Sequence, residues 1–128
     1  MLEAGITGKQ ELTVDESVSA KTVGSGLLDV FATPSMIALM EKTASESVAP
    51  YLEEGCGTVG IKVDVSHLAA TPMGMKVACE TKLVQVDGRK LVFSVEASDE
   101  AGKIGEGTHE RFIIQSEKFQ RKANEKKK

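Results

Sequence analysis

The hydrophobic period changes twice along this 128-residue chain, and the changes mark its elements. "ELTVDESVSA" alternates, with Leu12, Val14, Val18 and Ala20 on one parity. That predicts a strand with one buried face. "KTVGSGLLDV" has glycines at 24 and 26 and reads as a connection. From Thr33 the period becomes helical: Met36, Ile37, Met40, Ala44 and Val48 recur at helix spacing. Thr33 followed by Pro34 is a helix start, because threonine caps and proline loses no hydrogen bond in the first turn. Pro50 and the "EEG" ending at Gly55 close a helix expected over about 34–49.

Beyond Gly55 the period is two. "TVGIKVDVSH" puts Val59, Ile61, Val63 and Val65 on one face. "MKVACETKLVQV" is a second strand, and Asp87-Gly88 is a hairpin turn. "KLVFSVEAS" places Leu91, Phe93, Val95 and Ala97 together, "DEAGK" turns, and "IGEGTHERFII" is a last strand with a polar middle. The order is strand, long helix, then about four antiparallel strands. Such a meander needs one face covered, and one long helix supplies the cover. The class is α+β.

Several residues break this pattern. Positions 37, 41, 44 and 48 form one helical stripe, and Glu41 is its only carboxylate. Either Glu41 is desolvated and must find partners, or the helix is rotated and Glu41 lies at an edge near lysines. His67 continues the parity of Ile61, Val63 and Val65: a rim histidine, or a general acid/base. Thr33 is sufficiently explained as a cap, yet backbone N–H groups at a helix start also hold anions. Pro34 has no N–H, so Ser35 and Met36 are the expected donors. Gly60 interrupts a strand, which reads as a bulge or as close backbone approach to a ligand. His109 and Arg111 read first as solvent-facing and second as substrate-binding.

Composition narrows the function. Apolar residues make up 41%, with no Trp, one Tyr and four Phe, so the expected core is aliphatic with Met. The length suggests one domain over 1–128. Net charge is −3, but "EKFQRKANEKKK" (117–128) carries six Lys or Arg against two Glu, leaving −7 on the body. An acidic body argues against nucleic-acid binding, and the basic tail is expected to fray in solvent. No apolar run approaches a membrane span, and no secretory signal is visible. Cys56 and Cys79 lack metal-ligand spacing and are expected to be reduced, in the cytoplasm. "GSG" has no phosphate-loop lysine, no Gly-x-Ser-x-Gly occurs, and a chain with two histidines and no clustered His/Cys set argues against a metal enzyme.

"FATPSMIALME", "APYLEEGCGTVGIKVDVSHLAATPMGMKV" and "VDGRKLVFSVEASDEAGKIGEGTHERFII" together resemble the hotdog-fold thioesterases related to fluoroacetyl-CoA thioesterase, over roughly residues 10 to 120. The resemblance implies a helix wrapped by an antiparallel sheet of about five strands. It implies hydrolysis of a short-chain or small acyl-CoA, and a homodimer or higher homo-oligomer with its site near the interface. It implies Thr33, Glu41 and His67 as the catalytic set, and Gly60 and Arg111 at the substrate. No metal or other cofactor is implied, coenzyme A entering only with the substrate. Two departures stand out. "TVGSGLLDVFATP" has Phe31 only beside the helix start, where the specialised enzyme has a phenylalanine-bearing lid, and Pro34 replaces a glycine. A rival reading is a non-catalytic acyl-CoA or small-ligand binding module of the same fold. A hydratase needs an Asp/His pair, and neither Asp64 nor Asp87 is well placed for one.

Overall fold

The computed structural model describes residues 1–127. Strand β1 (Thr7–Thr13) leads through a 3-10 turn and a short helix α1 (Ala20–Val23) into the long helix α2 (Thr33–Val48). Strands β2 (Cys56–His67), β3 (Lys76–Asp87), β4 (Lys90–Asp99) and β5 (Gly102–Gln115) follow, then helix α3 (Ser116–Asn124). The five strands form one sheet in the order β1-β3-β4-β5-β2, every neighbour antiparallel. The two hairpins, β3–β4 and β4–β5, are the ones the alternation predicts. Gly88 takes φ +63° in the first turn, a conformation that favours glycine. Asp99 closes the second by accepting from the N–H groups of Ala101 and Gly102.

Helix α2 lies on the sheet's inner face. Its Met36, Leu39, Met40, Ala44 and Val48 pack with Val77, Cys79, Leu83 on β3, Leu91, Phe93, Val95, Ala97 on β4, and Ile104 on β5. Each large apolar side chain so buried contributes about 1.5–3 kcal/mol, so these residues fix the helix's rotation. Glu41 then falls at the margin of the buried face, its side chain 42% exposed. The edge reading of Glu41 is therefore correct. Its ion-pair partner is an arginine, not a lysine.

Three other expectations are corrected. The first strand ends at Thr13: Asp15 accepts from the Ser17 N–H and starts a 3-10 turn, and Ser19 starts α1. The alternation through Val18 and Ala20 therefore comes from a turn and a helix, not from a strand. Second, the basic tail is not frayed over its described length. Residues 116–124 form α3, anchored where the Ser116 N–H donates to the Gly55 carbonyl at 2.9 Å. Arg121 and Lys122 in its last turn suit the helix dipole. Lys128 lies outside the described residues.

Third, the expected single face of Val59, Ile61, Val63 and Val65 is split. The pairing of β2 with β5 slips between Gly60 and Lys62, so Ile61 is an extra, bulged residue. Gly60 pairs with Arg111 and Val63 with His109, which puts both on the inner face. Val59 pairs with Phe112 and takes the outer one. The bulge thus brings the backbone of Gly60 under helix α2. Ile61 and Val63 remain 50% and 39% exposed, because β2 is a sheet edge.

Candidate active site

Helix α2 runs antiparallel to β2, with its first residue beside His67 and its middle beside Gly60. Two clusters result. At the helix start, Thr33 Oγ1 lies 2.6 Å from His67 Nδ1. The N-cap is Ala32, and the helix start has no side-chain cap hydrogen bond. This corrects the capping role expected of Thr33 and leaves its hydroxyl free for the imidazole. His67 is paired with Gly105 of β5. The pair opens on a cavity of about 330 Å³ walled by Ala20, Val30, Phe31, Leu68 and Ala69. His67 Nε2 is buried without a hydrogen-bond partner. Burial pushes this imidazole below its ordinary value, with the Ala69 backbone pulling the other way. Of the two expected oxyanion donors, the Met36 N–H is already bonded to the Ala32 carbonyl. Ser35 remains the candidate.

The second cluster surrounds Glu41. Its Oε2 is 3.6 Å from Arg111 Nη1. A Cβ on Gly60 would lie 2.7 Å from that same oxygen, 3.2 Å from His109 and 3.4 Å from Arg111. Gly60 is thus the vacancy into which the carboxylate settles. Arg111 donates from Nε to Thr58 Oγ1 at 2.7 Å and from Nη2 to the Thr58 carbonyl at 2.9 Å. Its Nη1 lies 3.2 Å from His109 Nε2, and His109 Nδ1 lies 2.8 Å from the Lys62 carbonyl. That carbonyl can only accept, so Nδ1 carries the proton and Nε2 accepts from Arg111. Every side of the guanidinium is therefore tied down.

The solvent-facing readings of His109 and Arg111 are both overturned: the residues are 1% and 7% exposed. The register explains it. His109 is opposite Phe93 and Arg111 opposite Leu91, and cross-strand partners share a face. His109 also stacks on Phe93, with ring centroids 6.3 Å apart. Sequence reasoning missed Thr58. The signal was its shared inner-face parity with Gly60, which only Arg111 in place makes meaningful.

The two clusters are separate within one chain. Glu41 does not line the Thr33–His67 cavity, and eight residues of helix place it about 12 Å further along the axis. Among the described residues, no three His, Cys, Asp or Glu side chains come together as a metal site would need.

Both histidines titrate below their ordinary value near 6.5. For His109 burial is the main cause and the Arg111 charge adds to it, against the Lys62 carbonyl, Glu41 and Glu110. A base with a depressed folded pKa leaves stability intact above pH 6.5. Below it, the unfolded chain takes up protons that the folded one refuses. The melting temperature should therefore be flat above about pH 7 and fall below about 6.5, each histidine adding at most about 1.4 kcal/mol per pH unit. Scanning calorimetry from pH 5 to 8 on wild type and His109→Asn checks this. An acid slope no shallower in the variant would mean that His109 contributes nothing to it.

A long helix wrapped by a five-stranded antiparallel sheet, with polar clusters along its open side, is the hotdog fold of thioesterases. Residues 14–117 match the family model of the fluoroacetyl-CoA-specific thioesterase FlK, and the chain belongs to that family. It is 46% identical over 98 residues to the fluoroacetyl-CoA thioesterase of Streptantibioticus cattleyicolor, spanning 77% of this chain and 70% of that one. A solved structure of the fluoroacetyl-CoA thioesterase FlK superposes with a TM-score of 0.93 at 36% identity, covering 98% of both chains. A threonine-to-serine mutant of FlK, solved in complex with acetyl-CoA, gives 0.93 at 35% identity, again covering 98% of both. The chain is a thioester hydrolase, and none of its described helices is long and apolar enough to cross a membrane.

Proposed function

We propose that this thioesterase hydrolyses small acyl-CoA thioesters at a site built from two copies of the chain. The observation that carries the reading is the Thr33–His67 pair, 2.6 Å apart and opening on a cavity. Glu41 is the missing carboxylate, and a homodimer supplies it. Strand β2 is an unpaired sheet edge with Ile61 and Val63 exposed. Such an edge invites pairing with a second strand, and a two-fold gives that pairing closure. A two-fold axis between Val63 and Asp64 sets Gly60 opposite the partner's His67. Glu41, which lies over Gly60, then meets the partner's Thr33–His67 pair.

In this site Glu41 either attacks the thioester carbonyl, expelling the thiolate and forming a mixed anhydride that water then cleaves to the free acid, or takes a proton from a water that attacks the carbonyl directly. The Arg111 guanidinium, held by Thr58 and His109, orients the carboxylate. His67, neutral at pH 7, takes up the proton that the attacking water releases, directly or through Glu41, and as imidazolium gives it to the thiolate, while the Thr33 hydroxyl fixes its ring. The N–H groups of Ser35 or Gly60 receive the oxyanion. The scheme uses no metal or redox cofactor. Phe31 is packed in the core at 1% exposed, so it offers no aromatic lid, and the loop before α2 presents Leu27 and Leu28 instead. We therefore place small unfluorinated acyl groups alongside fluoroacetyl as substrates, and the enzyme in the cytoplasm with its reduced cysteines.

A panel of acyl-CoA substrates with thiol-release detection tests this, alongside light scattering at micromolar concentration. Turnover of acetyl-CoA or propionyl-CoA by a dimer or larger assembly is the expected result. Tight binding without turnover across the panel favours the non-catalytic module. A monomer that turns over normally defeats the shared site.

A further inference from the structure

A strongly cationic cavity of this acidic protein lies away from the Thr33–His67 pair. It lies where the β3–β4 turn meets the end of β5 and helix α3, with a volume of about 380 Å³. Arg89 reaches it from the turn, Lys118 and Lys122 from consecutive turns of α3, and Ile114, Gln115 and Phe119 complete the wall. Lys118 and Lys122 are four residues apart and so share one helix face. Among the described residues, none of the three cations is ion-paired with a carboxylate. The Phe119 ring is 44% exposed beside them.

The arrangement is held in place. The Arg89 carbonyl accepts from the Ile113 N–H at 2.9 Å, which ties the turn to β5. The Ser116 N–H bond to Gly55 ties α3 to the start of β2. Three unpaired cations around a cavity with an aromatic wall fit a ligand that has several phosphates and a flat ring. Cations meet phosphates as point charges or bidentate forks, and an exposed ring offers a stacking surface to a base.

We propose that Arg89, Lys118, Lys122 and Phe119 form the subsite for the adenosine 3′,5′-bisphosphate end of coenzyme A. This rests on the acyl-CoA reading above. The cavity adjoins residues 114 and 115 of β5, only four residues, or about 14 Å of strand, from Arg111 and the Glu41 cluster. The extended pantetheine arm bridges such a gap between a surface-held nucleotide and a thioester at the open side of α2. The basic segment of the chain thereby gains a function. It concentrates positive charge where the substrate's phosphates dock, on a body that otherwise repels them.

The test uses the full-length protein, the variant Arg89→Ala/Lys118→Ala/Lys122→Ala, and a separate Phe119→Ala. All four residues line the surface and alanine keeps the helix, so circular dichroism should be unchanged. Binding of adenosine 3′,5′-bisphosphate is measured by calorimetry, with inorganic phosphate as the control ligand. KM is compared for acetyl-CoA and for acetyl-pantetheine, which lacks the nucleotide. The triple variant should lose bisphosphate affinity by about tenfold or more, since hydrogen bonds to charged groups are the strong ones. The KM advantage of acetyl-CoA over acetyl-pantetheine should shrink to match. Phe119→Ala should weaken the bisphosphate and leave inorganic phosphate alone. Wild-type bisphosphate affinity in the triple variant overturns the subsite, as does equal affinity of wild type for inorganic phosphate. The two proposals fail separately. A wild type that binds bisphosphate here but cleaves no acyl-CoA keeps the subsite and loses the enzyme reading. Acyl-CoA turnover that ignores the triple change keeps the enzyme and loses the subsite.

Discussion

Glu41→Gln is expected to lower kcat for acyl-CoA by about a thousandfold, within the range of a lost acid, base or nucleophile, and to leave the melting temperature unchanged or slightly higher. The side chain is 42% exposed and its one ion pair is 3.6 Å long. The carboxylate is half-exposed but Arg111 is buried, so losing the pair is tolerated because the guanidinium keeps its other partners. Arg111 keeps its two bonds to Thr58 and its contact with His109 when the charge is removed. Glutamine preserves the shape and still accepts a hydrogen bond, so what disappears is nucleophilicity and basicity. Gly60→Ala reaches the same end by a different route. Its Cβ would meet Glu41 Oε2 at 2.7 Å. The tip of a flexible side chain yields more easily than a strand, so the fold survives and the carboxylate is pushed off its position. Thiol-release kinetics beside a thermal melt read both variants. Full activity in Glu41→Gln would remove the carboxylate from the chemistry.

His67→Ala is expected to cost about a hundredfold or more in kcat, and Thr33→Ala to cost less, with Thr33→Ser milder still. Hydroxyl and imidazole act as a unit at 2.6 Å. Removing both should therefore cost little more than removing His67 alone, because residues acting together are non-additive. Helix stability does not confuse the comparison. Ala32 is the N-cap and no side chain caps the start, so Thr33→Ala should shift stability by no more than about 0.5 kcal/mol. His67 Nε2 has no partner to abandon. A double variant whose losses multiply, or a Thr33→Ala protein that melts several degrees early, would mean the pair is structural and not catalytic.

Local pattern was enough for the helix, the β3–β4–β5 meander and the Asp87-Gly88 turn, because each depends on side-chain period and on glycine's freedom over a few residues. It was also enough to single out Glu41, His67 and Gly60 as interruptions of the pattern, each with an ordinary reading beside the functional one, while Thr33 read first as a cap. It failed where the partner strand decides. His109 and Arg111 look like the polar middle of a strand. Only pairing opposite Phe93 and Leu91 turns them inward.

The sequence by itself determined the long helix, the strands that follow it and the α+β class, since those follow from periods of two and 3.6 along the chain. Tertiary structure alone decided how they meet. The slip at Ile61 moves Gly60 to the inner face, packing of Met36, Met40 and Ala44 rotates Glu41 to the rim, and α3 folds where composition suggested fraying. The physical reason is common to all three. Register, helix rotation and tail docking are set by contacts between segments far apart in the chain, and a local pattern carries no record of its distant partner.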